Sequence, residues 1–184
     1  MREIASKGQL RMAFMRWAVV TVPFILLLGL ASARFAPTGD QNHWYTQLTR
    51  PDDMPPDWTF LAAWVVFYVL IGLALAMVIN ARGSRLRTPA LVLFAIQMAA
   101  NLAWAPLFFG FHLVTAALIT VAVLFVLALA TAAMFFRIRV GAAVLLLPYL
   151  AWIAYAGFLL YQIHQLNPNA ESIVPSRSSD QMRI

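Results

Sequence analysis

The chain has 184 residues, 62% of them hydrophobic and 11% charged, with a formal net charge of +6. So little polar surface excludes a soluble domain of this size and predicts one all-α integral membrane domain. The lack of cysteine excludes disulfides, Fe–S ligation and thiolate chemistry. The basic residues are split among short segments and form no stripe, which argues against a nucleic-acid partner.

Residues 1–16 hold Arg2, Lys7, Arg11 and Arg16 and read as a basic cytoplasmic segment ahead of the first apolar run, Trp17 to Ala33. That run predicts a first span at 17–33. The alternative is a cleaved signal peptide, since Ala31-Ser32-Ala33 resembles a cleavage site. Against it, the uncharged run is longer than the usual apolar region of roughly 7–15 residues.

The loop that follows contains His43-Trp44-Tyr45 and then Arg50-Pro51-Asp52-Asp53-Met54-Pro55-Pro56-Asp57-Trp58. Prolines restrict the backbone, so this segment should hold few conformations. Interfacial belts are rich in Trp and explain Trp17 and Trp58 equally well. Trp44 and Tyr45 stand too far before the next span for that, which predicts a lid containing Trp44, Arg50, Pro51, Pro55, Pro56 and Trp58.

A second span is predicted at 58–81, with Trp64 and Tyr68 at i and i+4 on one face. Next comes an uncharged stretch of 49 residues, Thr88 to Phe136. As one helix it would be about 73 Å long against a hydrocarbon core of roughly 30 Å. It must therefore fold back, and Gly110-Phe111-His112 after Pro106 is the place for the turn. This predicts spans at 89–109 and 113–136. Within the first of them Gln97, Asn101 and Trp104 fall at i, i+4 and i+7. Two amides and an indole at bilayer depth are costly unless they face protein or a cavity, so this face points inward and marks a candidate site.

A fifth span is predicted at 140–166, with Tyr149, Trp152 and Ala156 on one face. The polar residues 167–184 read as a disordered tail. With five spans, nine of the thirteen Lys/Arg fall at one end of the bundle: in the N-terminal segment, the Arg82–Arg87 loop and the Arg137–Arg139 loop. The positive-inside rule then places the N-terminus in the cytoplasm, and the first loop and C-terminus outside.

Catalysis finds little support. No carboxylate lies within a span, and no nucleophilic triad or metal-spaced cluster is present. His43, His112 and His164 lie at or beyond span ends. A solvated loop side chain is the simple reading of His43, and an axial haem ligand the alternative.

The ordered set Trp44-Tyr45, Leu48, Pro51, Pro55-Pro56, Trp58, Trp64, then Gln97, Asn101, Trp104, Pro106, Phe108-Phe109, then Pro148-Tyr149-Leu150-Ala151-Trp152 resembles the tryptophan-rich sensory protein family, which includes the translocator proteins. The similarity runs from about Trp17 to Asn167. It implies a five-transmembrane-helix bundle, often a homodimer, whose pocket opens toward the first loop and accepts porphyrins or haem-related tetrapyrroles as ligands, with no obligatory cofactor. The pocket residues it implies are Tyr45, Trp64, Asn101, Trp104, Trp152 and Ala156. Trp64 and Trp152 match the indoles linked in the family to light-dependent porphyrin breakdown.

The residues themselves agree with such a ligand. Aromatic walls at Trp64, Tyr68, Tyr149 and Trp152 suit a flat apolar macrocycle, and Ala156 leaves room. Gln97 and Asn101 supply polar edges. Helix–helix packing is the competing role for these aromatics. Other function classes are a small transporter of tetrapyrrole intermediates and a structural subunit, although no internal repeat or charged midplane residue marks a transporter.

The chain departs from the family in three places. Asp52, Asp53 and Asp57 make the loop acidic, which should disfavour porphyrin propionates unless Arg34 or Arg50 compensates. Leu160 stands where relatives often have Asn. The proposed sterol motif lacks a Lys or Arg after Tyr161.

Overall fold

A computed structural model describes residues 7–34 and 37–173. Their regular structure is helical throughout: α1 (Lys7–Ala33), α2 (Asp57–Asn80), α3 (Arg87–Ala105), α4 (Val114–Ile138) and α5 (Val140–Leu166). All five are long and apolar enough to cross a membrane. The protein is a multi-pass integral membrane protein.

The helices form a closed ring in the order α1, α2, α5, α4, α3 and back to α1. Small residues and backbone carbonyls make the tight joints, because apolar burial drives little association between helices in lipid. A Cβ on Gly72 of α2 would come within 2.7 Å of Val22 Cα, so glycine is what lets α1 and α2 cross so closely. At that crossing the Thr21 hydroxyl donates to Gly72 C=O (2.8 Å). Ser32 closes the ring by donating to Leu102 C=O of α3.

The 49-residue stretch reverses where expected. α3 ends in a π turn, Pro106–Gly110, in which Phe111 N–H reaches back to Pro106 C=O. His112 completes the reversal with a positive φ of 58°.

Two boundaries need correction. The basic segment 1–16 does not end where the span begins: α1 is already helical from Lys7, despite Gly8, and the run from Gln9 to Arg16 holds no further glycine or proline. Residues 167–173 are not disordered. Asn167 exchanges two hydrogen bonds with the Thr49 backbone (2.8 and 2.9 Å), and a 3-10 turn follows at Ala170–Ser172. The segment has partners in the first loop that its own composition does not reveal. The rest of the predicted tail, 174–184, lies outside the described residues, as do residues 1–6.

Candidate functional site

A cavity of about 610 Å3 lies inside the ring, beneath the first loop. Its size is that of a small-molecule pocket. The lining comes from all five helices, always from the half nearer the first loop: Gly29 to Ala33 of α1, Asp57 to Tyr68 of α2, Asn101 to Phe109, Val121 and Leu124 of α4, and Trp152 to Ile163 of α5.

Nine aromatic side chains stand in its wall. Trp64 stacks on Tyr68 (centroids 5.4 Å, 29°), and Trp152 packs edge-on against Phe60 at 5.6 Å. Trp104 lies parallel to Phe108 (5.6 Å, 12°) and perpendicular to Phe109. The π turn brings Phe108 and Phe109 round beside Trp104, a use of widened helical turns that recurs at functional sites. The indole N–H groups of Trp104 and Trp152 are buried and have no hydrogen-bond partner in the protein. Buried donors normally find an acceptor, so each is available to a ligand.

One buried polar chain spans three helices behind the wall. Tyr68 Oη donates to Asn101 Oδ1 (3.2 Å), and the Asn101 amide donates to Tyr149 Oη (2.9 Å), which also accepts from Gln97 Nε2 (3.0 Å). This is how the amides of α3 are accommodated at bilayer depth. Tyr68 and Asn101 reach the cavity surface. Gln97 and Tyr149, fully buried, do not line it.

Of the other expected pocket residues, Tyr45, Trp64, Trp104, Trp152 and Ala156 all line the cavity. Among the expected lid residues only Trp58 does, and it is 70% exposed. Trp44, Pro51 and Leu48 are buried as the loop's own core, while Arg50, Pro55 and Pro56 shape its outer course.

The loop is held rather than draped. Trp44, 1% exposed, stacks on His112 (4.5 Å, 17°) and donates its indole N–H to Ala170 C=O (2.9 Å). Asn42 donates to Pro37 C=O and Phe109 C=O, both 2.9 Å, and accepts from Tyr45 N–H. Tyr45 lies under the Arg50 guanidinium, 5.3 Å from ring centroid to Cζ. Burial first, then the Asp57 carboxylate, pushes its hydroxyl up to about 12.

The mouth is polar. Thr38, Gly39, Asp40, Gln41 and Asp57 line it, and Arg50 bridges Asp40 (3.1 Å) and Asp57 (4.0 Å). Asp52 and Asp53 are exposed and do not line the cavity. The acidity expected of the lid thus reaches the cavity through Asp40 and Asp57, with Arg50 compensating. A second side of the cavity, between α1 and α2, is lined by Leu30, Leu61 and Trp58, all exposed on the bundle's outer surface.

Sequence patterns missed Asn42 and Asn167, lone polar residues outside the spans, and Gly29, whose role depends on facing Tyr68; they placed His112 at the turn but not against Trp44. Only the acidity of the loop hinted at the Arg50 bridge.

Comparison with known proteins identifies the family of the chain. Residues 19–166 match the TspO/MBR family model. A tryptophan-rich protein TspO of Chlorobaculum tepidum is 36% identical over 144 residues, covering 78% of this chain and 90% of the relative. A translocator protein of Bos taurus is 37% identical (70% and 78% covered), and a tryptophan-rich sensory protein of Cereibacter sphaeroides 36% identical (70% and 79%). With a match spanning all five helices and the cavity they enclose, the chain belongs to the TspO/MBR family.

Proposed function

We propose that this protein is a membrane receptor that binds a porphyrin or related tetrapyrrole in the cavity beneath its first loop. The observation that carries this reading is a pair of unpartnered indole N–H donors, Trp104 and Trp152, set in an otherwise aromatic, apolar wall. A flat macrocycle with acceptor groups at its edge satisfies both features at once: its faces stack on the rings and its edge accepts from the indoles.

Binding fits better than passage. The lining stops at the level of Tyr68 and Asn101, and the buried Gln97–Tyr149–Asn101–Tyr68 chain closes the inner end. A transporter would have to break that chain in each cycle. The relatives' names, translocator and sensory protein, accommodate either role. The same reading places the N-terminus in the cytoplasm and the first loop outside by the positive-inside rule, and includes a homodimer by family likeness.

Titration of the detergent-solubilised protein with protoporphyrin IX, followed by Trp quenching, tests it. Saturable quenching is expected. Trp152→Phe, which keeps an aromatic face but loses the N–H, should bind a little more weakly, and Trp152→Ala should lose about 1–3 kcal/mol of stacking. Equal binding by both variants and the parent would place the site elsewhere.

A further inference from the structure

The end of the bundle opposite the first loop holds a second cleft, of about 490 Å3, between α1, α2 and α3. Its lining divides into two chemistries. Trp17, Ile79 and Leu91 are partly buried and form an apolar floor; Arg82 and Arg87 stand at its rim, with Gly83 between the helices they flank.

Neither guanidinium meets a carboxylate among the described residues. None is near in the chain either, since segments 7–34, 80–90 and 137–140 contain no Asp or Glu. Two cations beside one apolar cleft leave positive charge that no carboxylate among the described residues answers. The first turn of α3 starts at Arg87 and adds its positive helix end to the same place. Gly83, at φ 100°, makes the sharp return from α2, and its missing side chain leaves the rim uncovered.

We propose that this cleft is a binding site for an anionic phospholipid, with the phosphate held by Arg82 and Arg87 and an acyl chain lying along Trp17, Ile79 and Leu91. Guanidinium groups suit phosphate because they present paired N–H donors. Trp17 sits where indoles prefer to be, at the boundary of headgroup and chain. A free phosphate would share the arginines but leave the floor bare. The site shares no lining residue with the cavity under the first loop, so its failure and that of the tetrapyrrole reading are separate results.

The test uses the full chain in neutral detergent, titrated with phosphatidylglycerol or phosphatidylcholine brominated in the acyl chains. Phosphatidylglycerol should quench a part of the Trp emission that is absent from Trp17→Phe, and phosphatidylcholine should not. A basic residue near an anionic headgroup contributes about fivefold in affinity, so Arg82→Gln with Arg87→Gln should weaken phosphatidylglycerol binding roughly 25-fold. Arg137→Gln with Arg139→Gln, at the same end but outside the cleft, should leave it unchanged. Equal quenching by both lipids, equal weakening by both double variants, or displacement of the lipid by inorganic phosphate at matched concentration would each overturn the proposal. Should the Arg82/Arg87 variant not fold, the Trp17→Phe comparison decides alone.

Discussion

Tyr68 of α2 and Asn101 of α3 share a hydrogen bond of 3.2 Å at the surface of the cavity, and Asn101 passes it on to Tyr149 of α5 at 2.9 Å. One amide therefore fixes two tyrosines on two other helices. Asn101→Leu removes both bonds at once. Intramembrane hydrogen bonds average only about 0.6 kcal/mol, so the stability loss should be small, about 1 kcal/mol. Ligand affinity should change more, because the cavity surface then loses its amide and the Tyr68 hydroxyl loses its acceptor. A melting curve and a quenching titration on the same sample check this; collapse of the fold with affinity intact in the surviving protein would make Asn101 purely structural.

Gly29 of α1 faces the same tyrosine. A Cβ placed there would fall within the Tyr68 ring. Gly29→Ala should therefore force Tyr68 aside, at about 1–3 kcal/mol of overpacking, and weaken porphyrin binding through the lost ring position. Repeating the substitution in a Tyr68→Ala background removes the clash, so the two changes should be strongly non-additive. Simple additivity in melting temperature would show that Gly29 acts through something other than Tyr68.

The mouth gives an electrostatic prediction. Arg50 offsets one of the two negative charges of Asp40 and Asp57 where they line the cavity, whereas Asp52 and Asp53 lie outside it. Arg50→Gln should slow the entry of a dicarboxylate porphyrin, with the effect fading as salt is raised, since screening acts over about 8–10 Å at ordinary ionic strength. Asp52→Asn with Asp53→Asn should do little. If Arg50→Gln leaves association rates unchanged, entry runs through the apolar side between α1 and α2, past Leu30 and Leu61.

The junction of loop, turn and C-terminal segment should loosen in acid. Burial holds the His112 imidazole below its ordinary 6.5, against the opposing hydrogen bond to Phe109 C=O. The Thr115 N–H, donating at 2.8 Å, holds the Glu171 carboxyl below its ordinary 4.5. Both groups have folded values beneath their unfolded ones, so the unfolded chain binds more protons as pH falls. The His112 contribution is intact above 6.5 and fades below it; that of Glu171 is intact above 4.5 and is lost below. The protection factors of amides around Ala170, with the intrinsic pH dependence of exchange divided out, should therefore fall in two steps on acidification. In His112→Asn, whose new side chain tolerates positive φ, the upper step should vanish. A single step, below 4.5, in the parent protein would remove His112 from the account.

Chain length against bilayer thickness was enough to count five helices, and the Gly110-Phe111-His112 signal after Pro106 placed the reversal. Desolvation was enough to turn the Gln97–Asn101–Trp104 face inward, because no other orientation is tolerable in lipid. Neither argument carries depth information. Periodicity puts Gln97 and Asn101 on one face, but the packing of α2 and α5 decided that Asn101 reaches the cavity while Gln97 and Tyr149 stay behind it. Likewise Trp44 read as a lid residue from its distance to the second helix. Its burial against His112 and Ala170 depends on contacts 68 and 126 residues away in the chain, which no local pattern encodes. Composition made residues 167–173 look disordered for the same reason: their order comes from partners in the first loop and at the start of α4. Side-chain chemistry and the membrane set which residues must turn inward, and only the assembled ring settled which of them meet.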